Sequence, residues 1–177
     1  MIRKKLLFYI CECDFPSTSA YSIHVAKMCD KLSKKYNVIL VTPYSSINFS
    51  GLKNVYNIKN KFHVLSTFKK KKNLNFINKF IFIIRLFFFL NNKKYKNQKK
   101  IIFSRSIISS LSLSLFDFKN ILELHHELKG FSKFFYNLIR LFKYFDNIKF
   151  IIINRNLKKL LNLKQALILD DAVDVEQ

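Results

Sequence analysis

Leu6-Leu7-Phe8-Tyr9-Ile10 and Val38-Ile39-Leu40-Val41, the second closed by Thr42-Pro43, are two short apolar runs. Each is continuous and rich in β-formers, which predicts a buried strand. Between them, Ser19 to Tyr36 has helical spacing, with Ile23, Ala26, Cys29-Asp30 and Leu32-Ser33 tracking one side. A strand, a helix and a second strand at this length make a βαβ unit, whose crossover sets the two strands parallel. Open parallel sheets bind ligands beyond the carboxyl ends of their strands. The reading therefore directs attention to Glu12, Asp14 and the glycine-free loop Phe15-Pro16-Ser17-Thr18-Ser19-Ala20.

The same rhythm continues. A short helix is predicted around Leu52 to Ile58, then a strand at Phe62-His63-Val64-Leu65, where His63 reads as an edge residue rather than a ligand. Further strands are predicted at Ile101-Ile102-Phe103-Ser104-Arg105, Asn120-Ile121-Leu122-Glu123-Leu124, Phe150-Ile151-Ile152-Ile153 and 165–169. Gly130 to Phe145 has helical spacing, with Phe134, Leu138, Leu141-Phe142 and Phe145 sharing one side. Ser106 to Phe116 alternates serine with apolar residues, so a strand is possible there although a short helix suits the rhythm better, and a short helix is predicted over 154–161. Regular alternation of strand and helix predicts an α/β fold: a Rossmann-like, doubly wound, mostly parallel sheet in one domain over residues 1–169.

Composition bounds the function classes. Half of the 177 residues are hydrophobic, which argues against disorder, and 2 Gly stand against 20 Phe. With glycine only at Gly51 and Gly130, no Gly-rich phosphate loop can be built. The formal net charge of +21 favours polyanionic partners such as nucleic acid, anionic lipid or phosphorylated substrates. A solvated basic surface accounts for the same number. Cys11, Cys13 and Cys29 form neither a disulfide framework nor a zinc pattern, so reduced thiols and no metal are expected. Leu74 to Leu90 is almost wholly apolar and is bracketed by Lys69-Lys70-Lys71-Lys72 and by the lysines of 93–100. It is too short for a spanning helix. Two readings stand: a crossover helix packed on the sheet, or an interfacial helix gripping an anionic membrane through its flanking lysines.

Several residues are placed for chemistry. His125 follows a predicted central strand at its carboxyl end, where an imidazole can supply a hydrogen bond or a positive charge. His126 and Glu127 adjoin it. Arg105 ends a strand on the same side and can meet a phosphate, or pair with Glu123 or Asp14. Ser17, Thr18 and Ser19 offer hydroxyl and N–H groups at a helix start, or simply cap it. His24 lies about a turn into that helix, where a packed histidine is the plainer reading.

The loop and helix Phe15-Pro16-Ser17-Thr18-Ser19-Ala20-Tyr21-Ser22-Ile23-His24-Val25-Ala26-Lys27-Met28, followed by Tyr36-Asn37-Val38-Ile39-Leu40-Val41-Thr42, resembles the opening of family 4 glycosyltransferases. Ser19-Ala20 stand where many members carry Gly-Gly. The order of Ser104-Arg105, Ile121-Leu122-Glu123-Leu124-His125, Phe150-Ile151-Ile152-Ile153-Asn154 and Asp170-Asp171-Ala172-Val173-Asp174 is also similar, the last lacking the family's usual proline and glycine. The resemblance implies the N-terminal, acceptor-side half of a GT-B fold, with 170–177 opening the interdomain linker and the C-terminal donor domain absent. It implies a retaining hexosyltransferase moving a sugar from a nucleotide-sugar to a lipid-linked or envelope-polysaccharide acceptor, without a metal and with no cofactor beyond that donor substrate. This chain alone would be inactive. By the same resemblance His125 contacts the reacting sugar as the catalytic residue. Ser17, Thr18, Ser19, His24, Arg105, His126 and Glu127 would line the acceptor site. The expected setting is cytoplasmic, or peripheral on the inner face of the plasma membrane. The alternative is a non-catalytic basic α/β module that binds a membrane surface or nucleic acid, although no nucleic-acid recognition motif is present.

Overall fold

The computed structural model describes residues 4–169, so Asp170-Asp171-Ala172-Val173-Asp174 and the linker expected over 170–177 lie outside the described residues. It is an α/β fold with one seven-stranded, all-parallel sheet in the order β3-β2-β1-β4-β5-β6-β7. The strands are β1 (Lys5–Ile10), β2 (Tyr36–Thr42), β3 (His63–Ser66), β4 (Lys100–Ser104), β5 (Asn120–Leu124), β6 (Ile148–Ile152) and β7 (Leu167–Ile168). Between them run α1 (Ala20–Ser33), α2 (Phe49–Tyr56), α3 (Phe76–Leu90), α4 (Lys93–Lys96), α5 (Ile107–Leu115), α6 (Gly130–Arg140) and α7 (Arg155–Leu160). The chain winds outward from β1 to β3, then returns to place β4 on the other side of β1. This reversal is the topological switch of doubly wound sheets. The chain divides after Phe103 into two compact units.

In the first unit, β1 is buried from Leu6 to Ile10 and pairs in parallel register with β2, Leu7 opposite Val38 and Tyr9 opposite Leu40. Strands buried on both faces need no alternation, which is why these runs are continuously apolar. α1 turns Val25, Ala26, Cys29 and Ser33 inward and leaves Ile23 exposed, so small side chains rather than bulky ones set its approach to the sheet. α3 buries Phe82, Ile83, Leu86 and Leu90. At its end Phe89 meets Phe8 edge-on at 5.6 Å, and Tyr95 of α4 meets the same ring at 5.3 Å. The Lys100 ammonium donates to the carbonyls of Leu90 (2.8 Å) and Tyr95 (3.3 Å), and burial lowers its pKa. β3 forms one edge of the sheet, and His63 is exposed on it.

The second unit packs Leu111, Leu122, Leu124, Tyr136, Ile139 and Phe150 into one core. α5 is rich in buried serines. Ser110 Oγ donates to Asn120 Oδ1, while Asn120 Nδ2 returns a bond to the Ser110 carbonyl at 3.3 Å, tying the helix to the start of β5. The helical segment read over 130–145 breaks at Arg140 and closes with a 3₁₀ turn at Lys143–Asn147. That break brings the Phe145 ring to 5.5 Å from Tyr136 and 5.3 Å from Phe150. The side expected from Phe134, Leu138 and Leu141-Phe142 faces solvent, and Tyr136 and Ile139 face inward instead.

With so few glycines, other residues take the left-handed positions. Asn57, Asp117 and Asn162 hold positive φ angles of 49°, 62° and 48°, which short polar side chains tolerate best. Gly130 adopts φ 52° at the start of α6. Asparagine also caps helices: Asn48, Asn75 and Asn154 each accept from the backbone N–H three residues on, opening α2, α3 and α7.

Candidate functional site

β5 carries a carboxylate into the sheet. Glu123 is 7% exposed, and a buried charge of this kind requires partners. Two basic groups supply them. His125, one residue beyond the strand, brings Nε2 to 2.6 Å from Glu123 Oε1. Arg105, one residue beyond β4, brings Nε to 3.7 Å from Oε2, with its own side chain 6% exposed. The three side chains form an Arg–Glu–His cluster at the carboxyl ends of two strands, with Glu123 and the Arg105 side chain buried and His125 half-buried. A 2.6 Å contact to a carboxylate fits a nitrogen that donates, so in the neutral imidazole the proton belongs on Nε2 and the lone pair on Nδ1. Such a histidine is held in orientation by its carboxylate.

Of the two carboxylates expected as partners for Arg105, Glu123 lies beside it at 3.7 Å. His126 and Glu127 are exposed in the loop that follows. Beneath Arg105, Ser104 Oγ accepts from the Ser106 N–H at 3.1 Å, and Ser106 Oγ caps α5 by accepting from the Ser109 N–H at 3.1 Å. These bonds fix the turn that aims Arg105.

In the first unit the loop after β1 is tightly held. Phe15 N–H donates to the Tyr44 carbonyl at 3.0 Å, and Ser46 N–H donates to the Phe15 carbonyl at 2.8 Å. Ser17 is clasped by Tyr56 of α2, whose hydroxyl accepts from Ser17 N–H at 2.7 Å and donates to its carbonyl at 2.8 Å. Ser19 is the N-cap of α1 and accepts from Ser22 N–H at 3.2 Å. Thr18 is exposed, and His24 is half-buried on α1. Glu12 meets Lys79 of α3 at 2.9 Å, and Asp14 has its carboxyl pKa raised by burial, against the opposing charge of Lys71. Cys11 and Cys13 lie with sulfurs 3.5 Å apart, free and buried.

The sequence names His125 and Arg105 as site residues and Glu123 only as one possible partner of Arg105, not as the residue that also holds His125. Its signal was present: an acid inside an apolar strand, two residues before a histidine on the same face, must find a cation or lose its charge. Tyr56 and Lys79 carried no such signal, because their partners come from distant segments.

No protein-family model matches the chain, and no curated protein matches it.

Proposed function

We propose that this chain is the acceptor-binding half of a retaining, family 4-like glycosyltransferase, with His125 facing the sugar that reacts. The observation that carries the reading is the His125–Glu123 contact of 2.6 Å at the carboxyl end of β5, in an all-parallel sheet. That is where ligands meet such sheets, and a carboxylate-anchored imidazole is suited to hydrogen-bond a sugar hydroxyl or steady developing charge. Arg105 neutralises Glu123, so the histidine is oriented without an excess negative charge beside it. The sequence resemblance across the loop 15–28 and the strand ends 104–105 and 121–125 supports the same reading. Nucleotide-sugar binding belongs, on this proposal, to a second α/β domain, and the acceptor is lipid-linked or an envelope glycan.

The test is ligand binding by the whole chain. Saturation-transfer NMR and calorimetry would be run with prenyl-diphosphate-linked sugars and, separately, with UDP-, GDP- and ADP-sugars. Binding to a prenyl-linked sugar that His125→Ala weakens about tenfold, the worth of one hydrogen bond to a ligand, is the expected result. Absence of binding to every glycan probe, or binding that is indifferent to His125→Ala, overturns the reading.

A further inference from the structure

α3 is apolar on both sides. Its inward face packs Phe82, Ile83, Leu86 and Leu90, and its outward face exposes Phe76 (66%), Ile77 (66%), Phe80 (58%), Ile84 (39%) and Phe88 (67%). At 100° per residue these five fall within an arc of about 120°, whose centre lies about 130° round the helix from that of the buried set. The cations inside the helix do not interrupt the stripe. Lys79 reaches back to Glu12 at 2.9 Å, and Arg85 donates to the Thr67 carbonyl with its guanidinium 4.9 Å from the centre of the Phe68 ring. A soluble surface rarely carries so long an uncharged aromatic face without a partner.

We propose that this face of α3 docks on an anionic lipid bilayer, with the helix lying in the plane of the interface. Charge chooses the occupant. Exposed Lys69, Lys70, Lys71 and Lys72 precede the stripe, and exposed Lys93, Lys94, Lys96 and Lys99 follow it. Phenylalanines in the acyl boundary with lysines at headgroup level is the arrangement of interfacial helices. Beside Arg85, in the C-terminal half of α3, a groove of about 790 Å³ is lined by Lys69, Lys70, Lys72, Arg85 and Ser45, with no carboxylate among its lining residues, a setting for a phosphate headgroup. A second copy of this chain is disfavoured as the occupant, since it would bring the same lysine clusters together in a protein of net charge +21. Spanning is excluded by length: among the described residues no helix is long and apolar enough to cross a membrane. The docking stands independently of sugar transfer, because it uses neither His125 nor Arg105.

The chain has no tryptophan, so Phe80→Trp is a sole reporter at an exposed position. With vesicles of phosphatidylcholine and about 30% phosphatidylglycerol, its emission is expected to shift blue by about 10 nm and to be quenched by brominated acyl chains, with little change on pure phosphatidylcholine. The triple change Phe76→Ser, Ile77→Ser, Phe88→Ser should reduce vesicle cosedimentation about tenfold with unaltered circular dichroism. Glutamine at Lys69, Lys70, Lys71 and Lys72 should do the same and flatten the salt dependence. Phe134→Trp, on the exposed face of α6 in the other unit, serves as the control and should not shift. The proposal is overturned if Phe80→Trp stays in water while the protein sediments, if Phe134→Trp shifts in its place, or if the serine triple binds vesicles like the parent. It is equally overturned if the serine changes abolish a dimer and vesicle affinity is absent throughout. Loss of glycan binding in the test above leaves these outcomes untouched.

Discussion

Removing the Glu123 carboxylate is the sharpest perturbation of the site. Glu123 and Arg105 have side chains 7% and 6% exposed and approach to 3.7 Å. At that distance and an effective dielectric constant of ~20, their attraction is roughly 4 kcal/mol before desolvation is charged against it. The net worth of the pair is smaller, but deleting one member leaves the other charge buried, which costs about 3–5 kcal/mol. Glu123→Leu should therefore destabilise by about 3 kcal/mol, seen as a melting temperature lower by about 6–12 °C for a chain of this size. Glu123→Gln keeps an acceptor for His125 and should cost less, about 2 kcal/mol. The double variant Arg105→Met, Glu123→Leu removes both charges and should recover at least about 1 kcal/mol relative to Glu123→Leu alone. Urea denaturation followed by circular dichroism measures the totals, and amide exchange in β5 and β6 reports the same unit locally. If Glu123→Leu lies within about 1 kcal/mol of the parent, or the double variant is as unstable as the sum of its singles, the cluster is not the buried ion pair argued here.

Other sites give independent checks. The Tyr136 hydroxyl donates to the Leu161 carbonyl at 2.9 Å, and burial, against the charge of Arg140, pushes its pKa up to about 12. Because the folded value lies above the unfolded value of about 10, its contribution is complete below pH ~10 and lost as pH rises toward 12. Tyr136→Phe should cost about 1 kcal/mol at pH 7 and abolish that part of the alkaline loss in a pH-dependent urea titration. Asp30 Oδ1 accepts from the N–H groups of Lys59 (2.8 Å) and Asn60 (2.5 Å). Burial acts to raise its pKa, but these bonds, the Asn60 side chain and Lys27 outweigh it and leave the pKa lowered. Its stabilisation is therefore present above pH ~4 and lost as pH falls through the folded value. Asp30→Ala should cost about 3 kcal/mol at pH 7 and progressively less in acid, and a pH-independent cost would refute the assignment. Burial raises the pKa of the Cys29 thiol, and the Cys11 contact together with burial raises that of Cys13. Native protein should thus react with a disulfide reagent at pH 8 far more slowly than unfolded protein, and a fast native phase would contradict the burial.

The fold was legible because the strands of a doubly wound sheet are buried on both faces and declare themselves without alternation. Asn120–Leu124 was bounded correctly from its five residues, and β1 nearly so. Helix ends were harder. Asparagine is so abundant here that its capping role at Asn48, Asn75 and Asn154 does not stand out from the composition. The 3₁₀ break after Arg140 depends on Phe145 finding Tyr136 and Phe150, contacts that periodicity along one segment does not encode. The candidate site was legible as residues and not as bonds. His125 and Arg105 follow from strand ends, and Glu123 as one possible partner of Arg105, whereas its contact with His125 is seen only in the folded chain.

α3 shows a different reason for the same limit. A helix that is apolar nearly all round offers two faces of equal merit for the sheet, so hydrophobicity cannot choose between packing and exposure. The choice is made by its few polar residues. Lys79 must reach Glu12 at the end of β1, and Arg85 must reach the carbonyl of Thr67 just after β3. Satisfying both rolls the helix until Leu86 and Leu90 are fully buried and Phe76, Phe80 and Phe88 point away. The two tethers thus do more than hold the helix down: they keep its only internal cations off the exposed stripe. Were Lys79 or Arg85 instead part of that stripe, the face would be an ordinary solvated surface. Lys79→Ala should therefore loosen α3 at the Glu12 end and leave the lipid affinity of the stripe intact. Reversing charge in the flanking lysines should abolish that affinity and leave the packing of α3 unchanged.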